Sequence, residues 1–219
     1  MSVRSFEFAV DEFYHIYNRG VEKRTIYIDN NDHQRFLELL YISNTVKPTD
    51  IRSISRTHDS VYEWDRGDQL VAVGAYCLMP NHFHILLTPL REHGVSLFMN
   101  KLCTSYSMYF NRRYDRSGAL YGDKFKAKHA DSDEYLKYLF AYIHLNPVKL
   151  YQSDWKERGI DDFEAAYEYV SQYKYSSLQD HQGKKRPEGA ILNRDPFPNY
   201  FEDESANKKE LQEWLQYKE

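Results

Sequence analysis

The sequence has little of what would send it out of a reducing compartment or into a bilayer. Its 219 residues hold two cysteines, Cys77 and Cys103, too few for a disulfide framework and too far apart for a CxxC pair. No run approaches the roughly 18 apolar residues of a spanning helix, and the stretch MSVRSFEFAVDEF lacks the apolar centre of a signal peptide. These absences predict a soluble cytoplasmic protein with no membrane partner. Internal repeats and low-complexity tracts are missing as well, which excludes solenoids and compositionally biased tails. A strong charge of one sign is also absent. The formal net charge of -4 provides no global footprint for nucleic acid, so any such role has to rest on a local cluster.

What is present supports one core. With 42% hydrophobic residues, the chain is long enough for a single enzyme-sized domain with additions. Phe13 to Tyr17 is aromatic and β-branched and ends at Asn18-Arg19-Gly20, which predicts a first strand running into a turn. Asp29 or Asn30 caps a helix carrying Phe36, Leu39 and Leu40 at helical spacing and ending near Asn44. Residues 45–69 are polar, contain Pro48 and Gly67, and read as an excursion between elements. Leu70 to Leu78, with Val71, Val73 and Ala75, reads as a buried strand that the Pro80-Asn81 turn folds back onto a second one, so this hairpin is expected at the centre of the sheet.

Ser96 is the expected N-cap of a helix reaching about Tyr114. The alternation of Lys124, Lys126 and Lys128 with Phe125 and Ala127 reads as a half-exposed strand. Asp131 and Glu134 have capping-box spacing ahead of a helix with the core stripe Leu136, Leu139, Phe140 and Ile143, which Pro147 ends. The order strand, helix, strand, strand, helix, strand, helix predicts an α+β, ferredoxin-like split βαβ fold: an antiparallel sheet with helices on one face and an extra helix packed afterwards. Residues 1–150 form the expected core domain, with 45–69 inserted. Residues 151–219 form a helical and irregular extension, with helices over Asp161 to Tyr173 and Lys208 to Tyr217.

Chemistry concentrates at His82-Phe83-His84. On a strand, alternate side chains share a face, so the two imidazoles project together while Phe83, Ile85 and Leu87 point the other way. Such a pair is half of a metal site; two strand histidines making ordinary hydrogen bonds are the bland alternative. On the later helix Tyr142 and Asn146 are four residues apart, about 40° in projection, whereas His144 points away from both. The basic residues Lys101, Arg112, Arg113, Arg116, Lys124, Lys126 and Lys128 share a segment with only two acids, Asp115 and Asp123, and stand among aromatic residues. That combination suits single-stranded nucleic acid, stacking on bases while neutralising phosphates, or else a solvated surface. The acids Glu202, Asp203 and Glu204 lie in the tail.

Three strings occur together in order: Tyr17-Asn18-Arg19-Gly20, Tyr76-Cys77-Leu78-Met79-Pro80-Asn81-His82-Phe83-His84-Ile85-Leu86-Leu87, and Tyr142-Ile143-His144-Leu145-Asn146-Pro147-Val148-Lys149. Over roughly residues 10–150 the chain thereby resembles the single-tyrosine HUH transposases of the IS200-like superfamily, and within them the REP-associated tyrosine transposase branch. The resemblance implies a nuclease in which His82, His84 and Asn146 hold Mg²⁺ or Mn²⁺ and Tyr142 is the nucleophile. The implied product is a 5′-phosphotyrosine with a free 3′-hydroxyl, and the implied partner is single-stranded, hairpin-forming DNA. Asn18 and Arg19 are implied DNA contacts beside the cleavage site, and the enzyme is a monomer or a homodimer. Other readings are a noncatalytic DNA- or RNA-binding sheet and a metal-dependent phosphodiesterase using water. Tyr121, Tyr135 and Tyr138 are rival nucleophiles. A zinc site from Cys77, His82, His84 and Cys103 is disfavoured because strand alternation is expected to put Cys77 on the other face.

Overall fold

A computed structural model describes residues 6–200 and 204–216; Glu202, Asp203 and Tyr217 lie outside them. The strands are β1 (Phe13–Arg19), β2 (Val71–Met79), β3 (His82–Pro89) and β4 (Lys126–Ala130). They form a sheet in the order β2-β3-β1-β4 with every neighbouring pair antiparallel. This is the split βαβ arrangement expected from the order of elements. β3 and β1 are the central strands, so the β2–β3 hairpin is displaced to one side of the sheet rather than centred in it.

The helices α1 (Asn30–Ile42) and α3 (Gly94–Arg113) cover one face. There Tyr14 and Ile16 of β1 and Phe83, Ile85 and Leu87 of β3 pack with Phe36, Leu40, Phe98, Leu102 and Tyr106. Buried Asp32 ties the two helices together, accepting hydrogen bonds from the Tyr109 and Tyr114 hydroxyls and from Arg113. The 45–69 segment is part of this layer rather than a free excursion. It contains α2 (Ile51–Thr57) and a short 3₁₀ turn, and it buries Ile54 and Val61.

Helix α3 starts at Gly94, two residues before the expected Ser96 cap, with His93 in left-handed backbone at φ 58°. Gly94 is required by proximity, since a Cβ there would stand 2.3 Å from the Leu70 carbonyl oxygen. Gly94→Ala is therefore expected to cost about 1–3 kcal/mol through overpacking. An unchanged urea midpoint would contradict this.

Helix α4 (Asp133–Leu145) lies on the opposite face, capped by Ser132 rather than by Asp131; the Ser132 hydroxyl accepts from the Tyr135 amide. Its stripe of Leu136, Leu139, Phe140 and Ile143 meets Ala72, Ala75, Cys77, Leu86 and Ala130. A β-bulge between Val73 and Ala75 shifts the alternation of β2. Val71 and Val73 before it, and Tyr76 and Leu78 after it, all face α1 and α3, so Ala75 does not continue the Val71–Val73 series.

After α4 come α5 (Val148–Tyr151), α6 (Trp155–Arg158), α7 (Phe163–Gln172), α8 (Leu178–His181) and α9 (Glu204–Gln216). Between α7 and α8 the backbone lies along the outer edge of β2: the Leu78 amide donates to the Tyr175 carbonyl and the Ser177 amide to that of Tyr76. This pairing covers an edge that would otherwise offer unpaired backbone groups.

Candidate active site

The α4 face of the sheet has two halves. Phe13, Leu86, Ala130 and the small residues of β2 form an apolar half, which α4 covers. In the other half, cross-strand register sets Arg19 opposite His82 and Tyr17 opposite both His84 and Lys126, with His15 opposite Lys128. The sheet alone therefore lines up histidines, an aromatic ring and cations on one surface.

His82 and His84 share this face as expected, with ring centroids 5.0 Å apart and planes nearly perpendicular. The His82 Nδ1 is 2.6 Å from Asn81 Oδ1. His84 is buried, and its Nδ1 lies 2.8 Å from Nε2 of His15, while its Nε2 is shut off from solvent without a hydrogen-bond partner. Burial lowers His15 and His82 to about 4 and His84 well below the usual imidazole range; Arg19 and Lys149 add a like-charge penalty at His82 and His84. All three rings are neutral near pH 7 and so have the lone pairs that metal ligation needs.

His15 was missed from sequence. Its parity with Tyr17 and Arg19 was legible, but the diagonal contact depends on β1–β3 register. Lys149 likewise has no sequence signal that sets it apart, and only the fold brings its charge near His82 and His84.

These depressed histidines should make the fold acid-sensitive. His181, whose Nε2 is 2.9 Å from the Gly74 carbonyl oxygen, is also lowered by burial to about 4. Between about pH 6.5 and 4 the unfolded chain takes up protons that His15, His82 and His181 refuse in the folded state. Stability should be level above about pH 6.5 and fall below it, each such histidine adding up to about 1.4 kcal/mol per pH unit. A urea midpoint unchanged between about pH 7 and 4.5 would exclude this behaviour.

Half-buried Tyr142 places its ring 5.5 Å from that of His84 and 5.8 Å from that of His15, edge-on to both. Burial pushes its phenol up, and a hydrogen bond with the Asn146 side chain works against the rise. The Asn146 amide nitrogen also donates to the Tyr142 carbonyl, 2.8 Å away, anchoring the side chain by the atom that could not ligate a cation. His144 points elsewhere, to the Ser177 hydroxyl.

The other tyrosines are less well placed. Tyr135 and Tyr138 stack farther up α4, Tyr138 also lying 4.7 Å from Trp214. Tyr121 is across the sheet, against Phe83. Tyr17, the first residue of the Tyr17-Asn18-Arg19-Gly20 string, also stands at the site, its ring 6.1 Å from that of His84.

The basic residues divide between the two faces. Lys126 and Lys128 are exposed on the histidine face, and Lys124 is exposed just before them. Lys101, Arg112 and Arg113 belong to α3, on the far side of the sheet. The Lys101 ammonium donates to the Thr45 and Lys47 carbonyls, and Arg113 is held by Asp29 and Asp32 at 2.6 and 2.7 Å. Arg112 is exposed. Asn18 is buried, donating to the Asp123 carbonyl and accepting from the Arg19 amide, which leaves Arg19 as the exposed member of that pair.

The bulge in β2 corrects the placement of Cys77: it sits directly opposite His84 on the same face, fully buried, its thiol pushed up by that burial. Cys103 packs in the α1–α3 layer, so the sheet separates the two thiols of the zinc alternative. Among the described residues no three His, Cys, Asp or Glu side chains converge as a metal cluster. The buried, unpartnered Nε2 of His84 fits a cation beside this histidine pair.

A ferredoxin-like sheet bearing a histidine pair against a helix-borne tyrosine is the arrangement that the motif resemblance implied. Residues 55–146 match the family model described as "Transposase IS200 like", a span that contains the histidine strand and the tyrosine helix. The resemblance read from the motifs is thus borne out over that segment. The fold is similar to the solved structure of the REP-associated tyrosine transposase bound to a REP hairpin, with TM-score 0.51 and 12% identity over 86% of this chain and 90% of that one. Comparison with curated proteins finds no significant match. Among the described residues no helix is long and apolar enough to cross a membrane.

Proposed function

We propose that the chain is a transposase-type single-stranded DNA endonuclease and strand transferase that uses Tyr142 as its nucleophile. The observation that carries this reading is the approach of the Tyr142 ring to His84 and His15 on the one sheet face that also presents His82. The Tyr142 oxygen bonds to the phosphorus of a phosphodiester as the bond from phosphorus to the 3′-oxygen breaks; the phenol proton passes to solvent, and the departing 3′-oxygen takes one from solvent to become a 3′-hydroxyl. The 5′-phosphotyrosine so formed conserves the bond energy, and a second 3′-hydroxyl resolves it by the reverse attack, joining strands without ATP.

His82, His84 and Asn146 would hold Mg²⁺ or Mn²⁺, which when bound polarises the scissile phosphate. Neutral imidazoles serve this role, and their low proton affinity keeps them available at neutral pH. Arg19 and Lys149, close enough to depress the histidines, supply positive charge for the phosphate. Tyr17, Lys126 and Lys128 continue the surface away from the site and offer a stacking ring followed by cations to a single strand. The hairpin-bound state of the structural relative supports hairpin-forming DNA as the substrate class. Residues 1–150 are assigned to the catalytic domain and 151–219 to an extension, of which α9 packs on α4 and the backbone of Tyr175 and Ser177 covers the edge of β2.

The test is cleavage of labelled single-stranded hairpin oligonucleotides with and without Mg²⁺ or Mn²⁺. Metal-dependent nicking supports the proposal; binding without cleavage on every single-stranded substrate makes the sheet a noncatalytic binding module. The double variant Lys126→Gln, Lys128→Gln should weaken binding of unrelated sequences alike and flatten the dependence of log K on log salt by about 1.4, two single-strand phosphate contacts at ~0.7 each. An unchanged slope would place the DNA elsewhere.

A further inference from the structure

We infer that His15 is a positioning residue that fixes the proton of His84 on Nδ1 and so leaves the His84 Nε2 lone pair free for a divalent cation, an inference that rests on the metal-dependent reading of this site. β1–β3 register makes the two histidines diagonal neighbours, since His15 pairs with Leu86 and Tyr17 with His84. The rings stack with centroids 5.0 Å apart, and the 2.8 Å separation of His15 Nε2 and His84 Nδ1 is a hydrogen bond, so one nitrogen donates and the other accepts.

Two arrangements of protons satisfy that bond. If His15 donates, the proton of neutral His84 sits on Nε2, a buried N–H with no acceptor among the described residues, and the ring has no lone pair to offer there. If His84 donates from Nδ1, its Nε2 is bare and a cation satisfies it. The second arrangement leaves no buried donor stranded. It is also the usual relation between a metal-binding imidazole and the neighbour that orients it. His82, Tyr17 and Tyr142 surround the His84 ring with centroids 5.0, 6.1 and 5.5 Å away and hold it in this orientation.

The test uses the full chain, labelled with ¹⁵N, and Mn²⁺ alone as the metal probe. In the metal-free wild type, long-range ¹H–¹⁵N spectra should show His84 protonated on Nδ1; a proton on Nε2 overturns the inference without any variant. His15→Phe keeps an aromatic ring but no acceptor, and should weaken Mn²⁺ binding about 10- to 100-fold in calorimetry. His15→Gln, whose amide oxygen reaches about as far as Nε2, should restore affinity to within about threefold, a rescue that ring packing alone would not produce. His84→Ala separates the two levels of the argument. If it loses Mn²⁺ while His15→Phe binds as wild type, His15 has no positioning role although the metal site stands; if His84→Ala itself binds as wild type, both fail.

Discussion

Tyr142→Phe should bind single-stranded hairpin DNA as the wild type does and fail to cut it, with nicking reduced by roughly 10⁴-fold or more, the scale on which removing a covalent nucleophile acts. The substitution deletes one hydroxyl and keeps the ring that packs edge-on against His84 and His15, so the fold and the DNA surface are unchanged. Retained nicking has two explanations, and they separate cleanly. If a covalent adduct persists, the nucleophile is another tyrosine, with Tyr17 the nearest rival because it stands on the same sheet face. If nicking persists with no adduct in either protein, water is the nucleophile and the histidines serve a phosphodiesterase.

His84→Ala should abolish the metal response while sparing DNA binding. Loss of an outer-shell partner commonly costs 10–100-fold at metal sites, so loss of a direct ligand should lower Mg²⁺- or Mn²⁺-dependent nicking by more than about 10²-fold. The substitution also leaves Nε2 of His15 buried without its hydrogen bond, which is expected to cost about 1–3 kcal/mol of stability. The paired measurement is nicking against metal concentration, with a urea midpoint on the same preparation. Wild-type nicking with an unchanged metal dependence would remove His84 from the site.

The local patterns were legible because they depend only on neighbours in sequence. Strand alternation correctly paired His82 with His84 and turned Phe83, Ile85 and Leu87 toward the helices, and helical spacing put Tyr142 and Asn146 together while excluding His144. What was not legible depends on register and on irregularity. His15 and Tyr17 enter the site only through the β1–β3 pairing. Cys77 reaches the histidine face only because a bulge at β2 resets the alternation, a shift that one glycine, Gly74, does not announce. Charge clustering in sequence did not show which face of the sheet each cation occupies. Lys101, Arg113 and Lys126 are close in sequence, yet the first two are tied into the α1–α3 layer and only the third shares a face with the histidines.

The most direct measurement of the central claim is to identify which atom of the protein becomes joined to DNA. A hairpin oligonucleotide labelled at its 3′ end, incubated with the full chain and Mn²⁺ and then denatured, should leave label on the protein, and digestion followed by mass spectrometry should place the nucleotide on the peptide containing Tyr142. The same oligonucleotide labelled at its 5′ end should release its label with a free 3′-hydroxyl. Label retained from the 5′ end, or a modified peptide lacking Tyr142, would contradict the account.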